Sequence, residues 1–256
     1  CWDCHDPHLA RQGGTKVGNL SGPLNNISGV TRSGSSLVWK NPATEDWEVC
    51  YKCHSNYWTN LGTAGKRNIA AEFYRTTANR SYHFVELTSN PNLTASNFTN
   101  RWTAGSTDHN GNPWTATSKM YCQDCHASPT GARGPHGSAN PKILKGTWYT
   151  YSETTRASTA DTLICFNCHL RTYYESSSSH DIGKSSQHNR PCWVCHGSRV
   201  HGVNRNHLVG VINTGVPSYD PNYENRSWLD SRTLGDPTKN SKNSCRSTNS
   251  ACSDHK

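Results

Sequence analysis

The sequence predicts a chain of mostly coil, with short helices and few strands, wrapped around a stack of bound groups in place of a side-chain interior. Three observations predict it. The pentapeptide Cys-x-x-Cys-His occurs five times, at Cys1–His5, Cys50–His54, Cys122–His126, Cys165–His169 and Cys192–His196. Hydrophobic content is only 32%, even with tyrosine counted, against about 45–50% apolar residues in an ordinary soluble domain. Between the motifs the chain is dense in turn formers, as in Ser33–Ser36, Asn110–Pro113, Gly131–Gly137 and Ser176–Ser179. Such a polypeptide read alone, with a mean hydropathy of −0.84, lies close to disorder.

The pentapeptide resolves that conflict, because it is the attachment site of c-type haem. Its two thiols form thioethers with the haem vinyl groups, and the adjoining histidine binds the iron from the proximal side. The thioether cysteines are then Cys1, Cys4, Cys50, Cys53, Cys122, Cys125, Cys165, Cys168, Cys192 and Cys195, ten of the chain's twelve. The proximal ligands are His5, His54, His126, His169 and His196. A structural zinc site gives no reason for a histidine after every second cysteine. A thioredoxin-like CxxC sits once in a βαβ pattern, and a disulfide scaffold does not repeat one tight spacing. Five haem c groups supply the apolar surface that the side chains lack, so no stable fold is expected without them.

Along the chain, a short helical turn is expected at each motif. The Ser33–Ser36 stretch reads as a turn, and Lys66–Thr77 is the best helix candidate between motifs. Strand-like runs such as Val211-Ile212 are brief. Proximal-histidine spacing contracts toward the C-terminus, so the last two haems are expected to be close neighbours. Residues 1–230 form one pentahaem domain in this reading, and 231–256 a polar tail. The two remaining cysteines, Cys245 and Cys252, read as a local disulfide in an oxidising compartment.

Fourteen histidines leave nine beyond the proximal set, and five six-coordinate haems need five of them. His8 and His201 follow proximal histidines too closely to cross their own haem, yet each can reach a neighbouring one. His136 sits in the rigid turn Gly134-Pro135-His136-Gly137, and His83 is flanked by Tyr82 and Phe84. These four and His180 are the best distal candidates, with His188 and His207 in reserve. His109, in a Gly/Asn turn, and His255 are expected to face solvent. The lone methionine, Met120, reads as packing. Bis-histidine ligation without methionine implies low reduction potentials. The nine tryptophans are expected to pack against porphyrin edges.

The formal charge of +8 does not indicate nucleic acid. Two propionates per haem bring about −10, and ferric iron returns about +1 each, leaving the holoprotein near about +3 oxidised and about −2 reduced. No apolar run approaches the ~20 residues of a transmembrane segment. Haem attachment of this type happens outside the cytoplasmic membrane, so the chain is expected to be a mature, exported product with its leader removed.

Cys50–Ser55, Ser81-Tyr82-His83, and Cys125-His126 followed by Gly134–Ser138 and Ile143–Gly146 carry a resemblance. So do Leu163–His169, Cys192 through His201-Gly202, and the opening Cys4-His5-Asp6-Pro7-His8. Together they resemble outer-surface multihaem c-type cytochromes of metal-reducing prokaryotes and are similar to subunits of extracellular cytochrome filaments, or nanowires. The resemblance implies long-range electron transfer in a secreted homopolymer with stacked haems, located outside the cell or on its surface. It implies redox-partner cytochromes and extracellular electron acceptors. It also implies inter-subunit histidine ligation, for which the haem at His5 is the candidate because little local chain can cover it. The alternatives are a soluble periplasmic electron shuttle and a multihaem reductase with one open haem iron. An electron carrier that is not an enzyme is the favoured reading, because all five motifs end in His and surplus histidines can fill every distal place.

Overall fold

Among the described residues, two small hydrophobic clusters and a set of largely buried ion pairs join the short elements. The structure is a computed structural model that describes residues 1–8, 20, 22–58, 68–74, 81–86, 98, 101–131, 134–147, 163–176 and 200–203. Within them, regular elements are brief and coil predominates, in keeping with the expected fold class. In chain order they are β1 (Gly29–Ser33), β2 (Ser36–Lys40), α1 (Asp46–Tyr51), α2 (Ile69–Phe73), β3 (Ser81–Tyr82), α3 (Cys122–Cys125), α4 (Arg171–Ser176) and β4 (Gly202–Val203). Single 3₁₀ turns occupy Gly22–Leu24, Pro141–Ile143 and Ile164–Asn167.

The Ser33–Ser36 turn closes an antiparallel hairpin, with Ser33 opposite Ser36 and Gly29 opposite Lys40. Gly34 takes φ +59, a conformation that costs glycine nothing. At the hairpin's start, a side chain on Gly29 would come within 2.8 Å of Glu48 Cβ, so glycine there lets β1 lie directly on α1. The first cluster, Val30, Trp47, Tyr51, Ala70, Phe73 and Val85, fills that contact, with Met120 and Cys122 against its edge. The second joins Leu20, Leu24, Ile27 and Ala43 to Val49 on α1. Met120 packs, as expected.

Charge pairs set how these elements align. Arg32 on β1 reaches both Glu86 carboxylate oxygens at 2.8 Å, donates to the Ala70 carbonyl at 2.6 Å and lies over the Tyr74 ring at 4.2 Å. Tyr51 donates its hydroxyl to the same Glu86 at 2.6 Å. Hairpin, α1, α2 and the segment before residue 86 thus meet at one bidentate pair. Glu48 accepts from Lys40 at 2.8 Å and from the Thr44 and Glu45 backbone N–H groups. Burial disfavours its charge, yet Lys40, Thr31 and Thr44 outweigh burial and hold the carboxyl below the usual range.

His109 departs from expectation. Its turn was read as solvated, but the side chain is 6% exposed and stands 3.2 Å from Asp46 and 3.5 Å from Asp124. The physical reason is that Asp108 caps the turn through the Asn110 and Asn112 N–H groups, while the His109 N–H donates to Asp124. The turn folds back over α3, and the ring enters between α1 and α3 beside Tyr121. Gln123 donates to Asp46 at 3.0 Å across the same joint. The helix expected over Lys66–Thr77 appears as α2, started by Asn68 accepting from the Ala71 N–H. The 231–256 tail, Cys245, Cys252, His255 and Val211-Ile212 lie outside the described residues. Among the described residues no helix is long and apolar enough to cross a membrane.

Burial opposes the charged form of His109, but Asp124 and Asp46 outweigh it and raise the pKa above the ordinary histidine value. A folded pKa above the unfolded one gives stability that is complete below about pH 6.5 and fades as pH climbs through the folded value. His109→Gln leaves two buried carboxylates facing each other, an expected loss of about 3–5 kcal/mol at acidic pH. Thermal unfolding of holoprotein at several pH values checks this. The gap between wild type and variant should narrow on the alkaline side, and a gap independent of pH refutes the ionic role.

Candidate haem sites

Four of the five motifs lie in the described residues, and all four adopt the same turn. The histidine N–H donates to the carbonyl of the first cysteine four residues back: His5 to Cys1 at 2.8 Å, His54 to Cys50 at 2.9 Å, His126 to Cys122 at 2.8 Å and His169 to Cys165 at 2.8 Å. In a helical turn, residues three and four apart share a face. Both thiols and the imidazole therefore present to one side, the arrangement needed to grip a flat ring at its edge and its metal from above. None of the eight described cysteines is in a disulfide. The fifth motif, with Cys192, Cys195 and His196, lies outside the described residues, as do His180, His188 and His207.

Three of the four described proximal rings, those of His5, His126 and His169, are contacted at Nδ1 from behind. His5 Nδ1 donates to the Pro23 carbonyl at 2.8 Å and His126 Nδ1 to the Lys142 carbonyl at 2.9 Å. A carbonyl only accepts, so the proton sits on Nδ1 and Nε2 keeps its lone pair. Lys142 and Ile143 adopt φ +60 and +57, turning the Lys142 carbonyl within reach of that ring. His169 Nδ1 contacts the Tyr174 hydroxyl of α4 at 3.2 Å. Burial, with the nearby His201 and His54 and against the Lys142 hydrogen bond, lowers the His126 pKa, which favours the neutral ring a metal requires.

Two of the candidate distal histidines stand opposite proximal ones. His136 faces His5 with ring centroids 5.8 Å apart, planes 29° from parallel and Nε2 atoms 3.5 Å apart. His201 faces His126 at 6.1 Å and 25°. Metal–imidazole bonds run about 2.0–2.1 Å, so one metal between two such nitrogens needs a gap of roughly 4 Å. The His5–His136 nitrogens come within about half an ångström of that spacing. Opposite His5, for which the sequence suggested a histidine of another copy, stands His136 of the same chain; a second copy is not part of this structure. His83 is half-buried beside His201, its backbone N–H donating to the His201 carbonyl at 3.1 Å and its Nδ1 to the Val200 carbonyl at 2.5 Å. His8 is exposed, its backbone N–H on Asp6, and among the described residues no imidazole is brought against it.

The motifs also neighbour one another in chain order. Cys4 lies within electrostatic reach of Cys50 and Cys53. Cys122 is hydrogen-bonded to Cys50, where α3 meets α1. Motifs three and four are tied by backbone: Lys145 N–H donates to the Cys125 carbonyl, and Ile164 N–H, beside Cys165, to Thr147. Burial first, then Asp124, pushes the Cys125 thiol up to about 12. Burial, Cys125 and Asp124 push Cys168 to about 12 as well. Such thiols are not activated thiolates, so the arrangement does not suit thiol–disulfide exchange. Trp102 packs against His169 at 5.7 Å. Its indole N–H, like that of Trp114, is buried and has no hydrogen-bond partner among the described residues, a donor of the kind a propionate takes. On these observations the residues present fit haem c.

Comparison with known proteins agrees at the level of the motif. A family model described as "Doubled CXXCH motif" matches residues 115–172, which hold the third and fourth sites. No curated protein and no solved structure matches the chain. The paired motif is that of multihaem c-type cytochromes, and it indicates covalently bound haem c.

The tautomer-fixing contacts, the opposed ring pairs and the ionic role of His109 were not legible in the sequence; each joins residues far apart in the chain. Replacing Cys165 and Cys168 together by Ala is expected to leave the mature chain lighter by one haem. Intact-mass spectrometry and the α-band absorbance read this directly, and an unchanged mass contradicts covalent attachment at that motif.

Proposed function

We propose that the chain is an electron carrier, not an enzyme, holding five covalently attached haem c groups with histidine on both faces of each iron. The single observation that carries this reading is the opposition of His136 to His5, each with Nε2 turned toward the other. An iron held from both sides offers no position to a substrate. Haem c supplies one-electron chemistry at iron, at potentials kept low by bis-histidine ligation.

The chain's own residues do the rest. Cys1, Cys4, Cys50, Cys53, Cys122, Cys125, Cys165, Cys168, Cys192 and Cys195 anchor the groups, and His5, His54, His126, His169 and His196 bind from the proximal side. His136 closes the site of His5 and His201 the site of His126, both from the same chain. His83, anchored through Nδ1 like His5 and His126, is a third distal ligand, and His180, His188 and His207 are candidates for the remaining places; His8 is the weakest. The Pro23 and Lys142 carbonyls orient the proximal rings, and the contacts between successive motifs keep neighbouring sites close in chain order.

The likeness to outer-surface cytochromes supports export and assembly into an extracellular filament as the setting for this transfer. A polar C-terminal tail closed by a Cys245–Cys252 disulfide belongs to the same reading, since disulfides persist in oxidising compartments.

His136→Ala is expected to convert one haem from low to high spin and to open one site to carbon monoxide. Electron paramagnetic resonance and the optical spectrum report both. An all-low-spin variant that binds no carbon monoxide removes His136 from the ligand set. Negative-stain electron microscopy of the native secreted material tests assembly: helical polymers support it, and a monodisperse monomer overturns the filament but leaves the carrier standing.

A further inference from the structure

We propose that Glu72 is a positioning residue that acts through His201 to hold the haem of Cys122 and Cys125 at a more negative reduction potential. This rests on the reading of His126 and His201 as that haem's two axial ligands. Glu72 Oε2 lies 3.3 Å from His201 Nδ1, with side chains only 9% and 19% exposed. The carboxylate therefore meets the ring at Nδ1, which leaves Nε2 as the nitrogen available to a metal.

Several features of the fold serve this contact. β4 pairs with β3 through Tyr82 opposite Gly202 and Ser81 opposite Val203, which fixes the chain immediately after His201. A side chain on Gly202 would stand 1.9 Å from the Glu72 carbonyl oxygen; only glycine lets this strand approach α2 so closely. Phe73, the next residue on α2, sets its ring against His201 at 5.3 Å, nearly edge to face. The start of α2 is itself held to the second motif, since Ile69 N–H donates to the His54 carbonyl at 2.9 Å. The carboxylate is thus placed by backbone on three sides.

Its chemistry differs from that of the other anchors. His5, His83 and His126 each donate Nδ1–H to a backbone carbonyl, a neutral dipole. His201 meets a carboxylate. A carboxylate behind a ligating imidazole raises the basicity of the ring as a donor, and its charge favours the more positive oxidised state of the metal. Burial strengthens both effects, because the local dielectric is low. Both lower the potential.

The test uses the full-length, natively matured protein. In E72Q, which keeps the side chain's shape but not its charge, one step of a spectroelectrochemical titration should move positive by about tenfold in its equilibrium, or about 59 mV for one electron. The other steps should stay in place and every haem remain low-spin. E72D keeps the charge on a shorter side chain and should shift less; it decides the matter where E72Q does not mature. A titration of E72Q superimposable on wild type overturns the proposal, as does an E72D shift equal to that of E72Q. His201→Ala separates the two levels. If it yields one high-spin haem while E72Q is silent, only the role of Glu72 fails; if every haem stays low-spin, the axial pair itself fails.

Discussion

One hydrogen bond, repeated, underlies this molecule: the histidine N–H on the carbonyl of the first cysteine, four residues earlier, within each described motif. It closes a single helical turn in segments too short to nucleate a helix alone. The turn brings two thiols and an imidazole to one face. Two of the four turns are the helix α3 and the end of α1 themselves. The others are a 3₁₀ turn at Ile164–Asn167 and a bare turn at the N-terminus, where Cys4 N–H also donates to Cys1. Among the described residues, the contacts between motifs hold these turns near one another, and two of them, at His5 and His126, have a second imidazole opposite.

How little apolar surface is available for that task explains the buried charges. The two hydrophobic clusters are small, and the first turn of α1 carries two carboxylates that are almost fully buried: Asp46 at 0% and Glu48 at 1% exposed. Isolated, such groups would be prohibitive. Each is answered: Glu48 by Lys40, Asp46 by Gln123 and His109, Glu86 by Arg32 and Tyr51. Such pairs add little net stability over a well-packed apolar contact. Their value here is register, because a bidentate Arg32–Glu86 pair and a Lys40–Glu48 pair are satisfied in only one alignment of hairpin, helix and loop.

What the sequence made legible follows from this division. The motifs, their helical turns and the prevalence of coil are local facts, and local spacing carries them. The hairpin was legible only as its turn: Arg32 and Lys40 interrupt the apolar pattern of Gly29–Ser33 and Ser36–Lys40, and each is held by a carboxylate, Glu86 or Glu48, that local spacing does not announce. His109 looked solvated because its neighbours are Asp108, Asn110 and Gly111; its burial depends on Asp46, 63 positions away in the chain. The same holds for the second imidazoles. Surplus histidines could be counted and ranked, and His136 and His201 stood among the best. Which proximal ring each one meets depends on a path through the whole chain.

That path has a mechanical consequence. His5 and His136 are 131 residues apart, and Glu72 and His201 are 129 apart. An iron joined to His5 and His136, with its porphyrin fixed to Cys1 and Cys4, cross-links the chain as a disulfide would. Closing a loop of that length removes about 4–5 kcal/mol of denatured-state entropy by the disulfide analogy. The next joint overlaps the first, because His126 lies inside the loop that His5 and His136 close and His201 lies outside it. Interlocked closures of this kind restrain one another, so a chain poor in side-chain core gains its order from where its cofactors are tied. Ligation and architecture are then the same interaction. On the ligand set proposed above, the histidines that close each iron to a substrate would also fix the distance from one iron to the next.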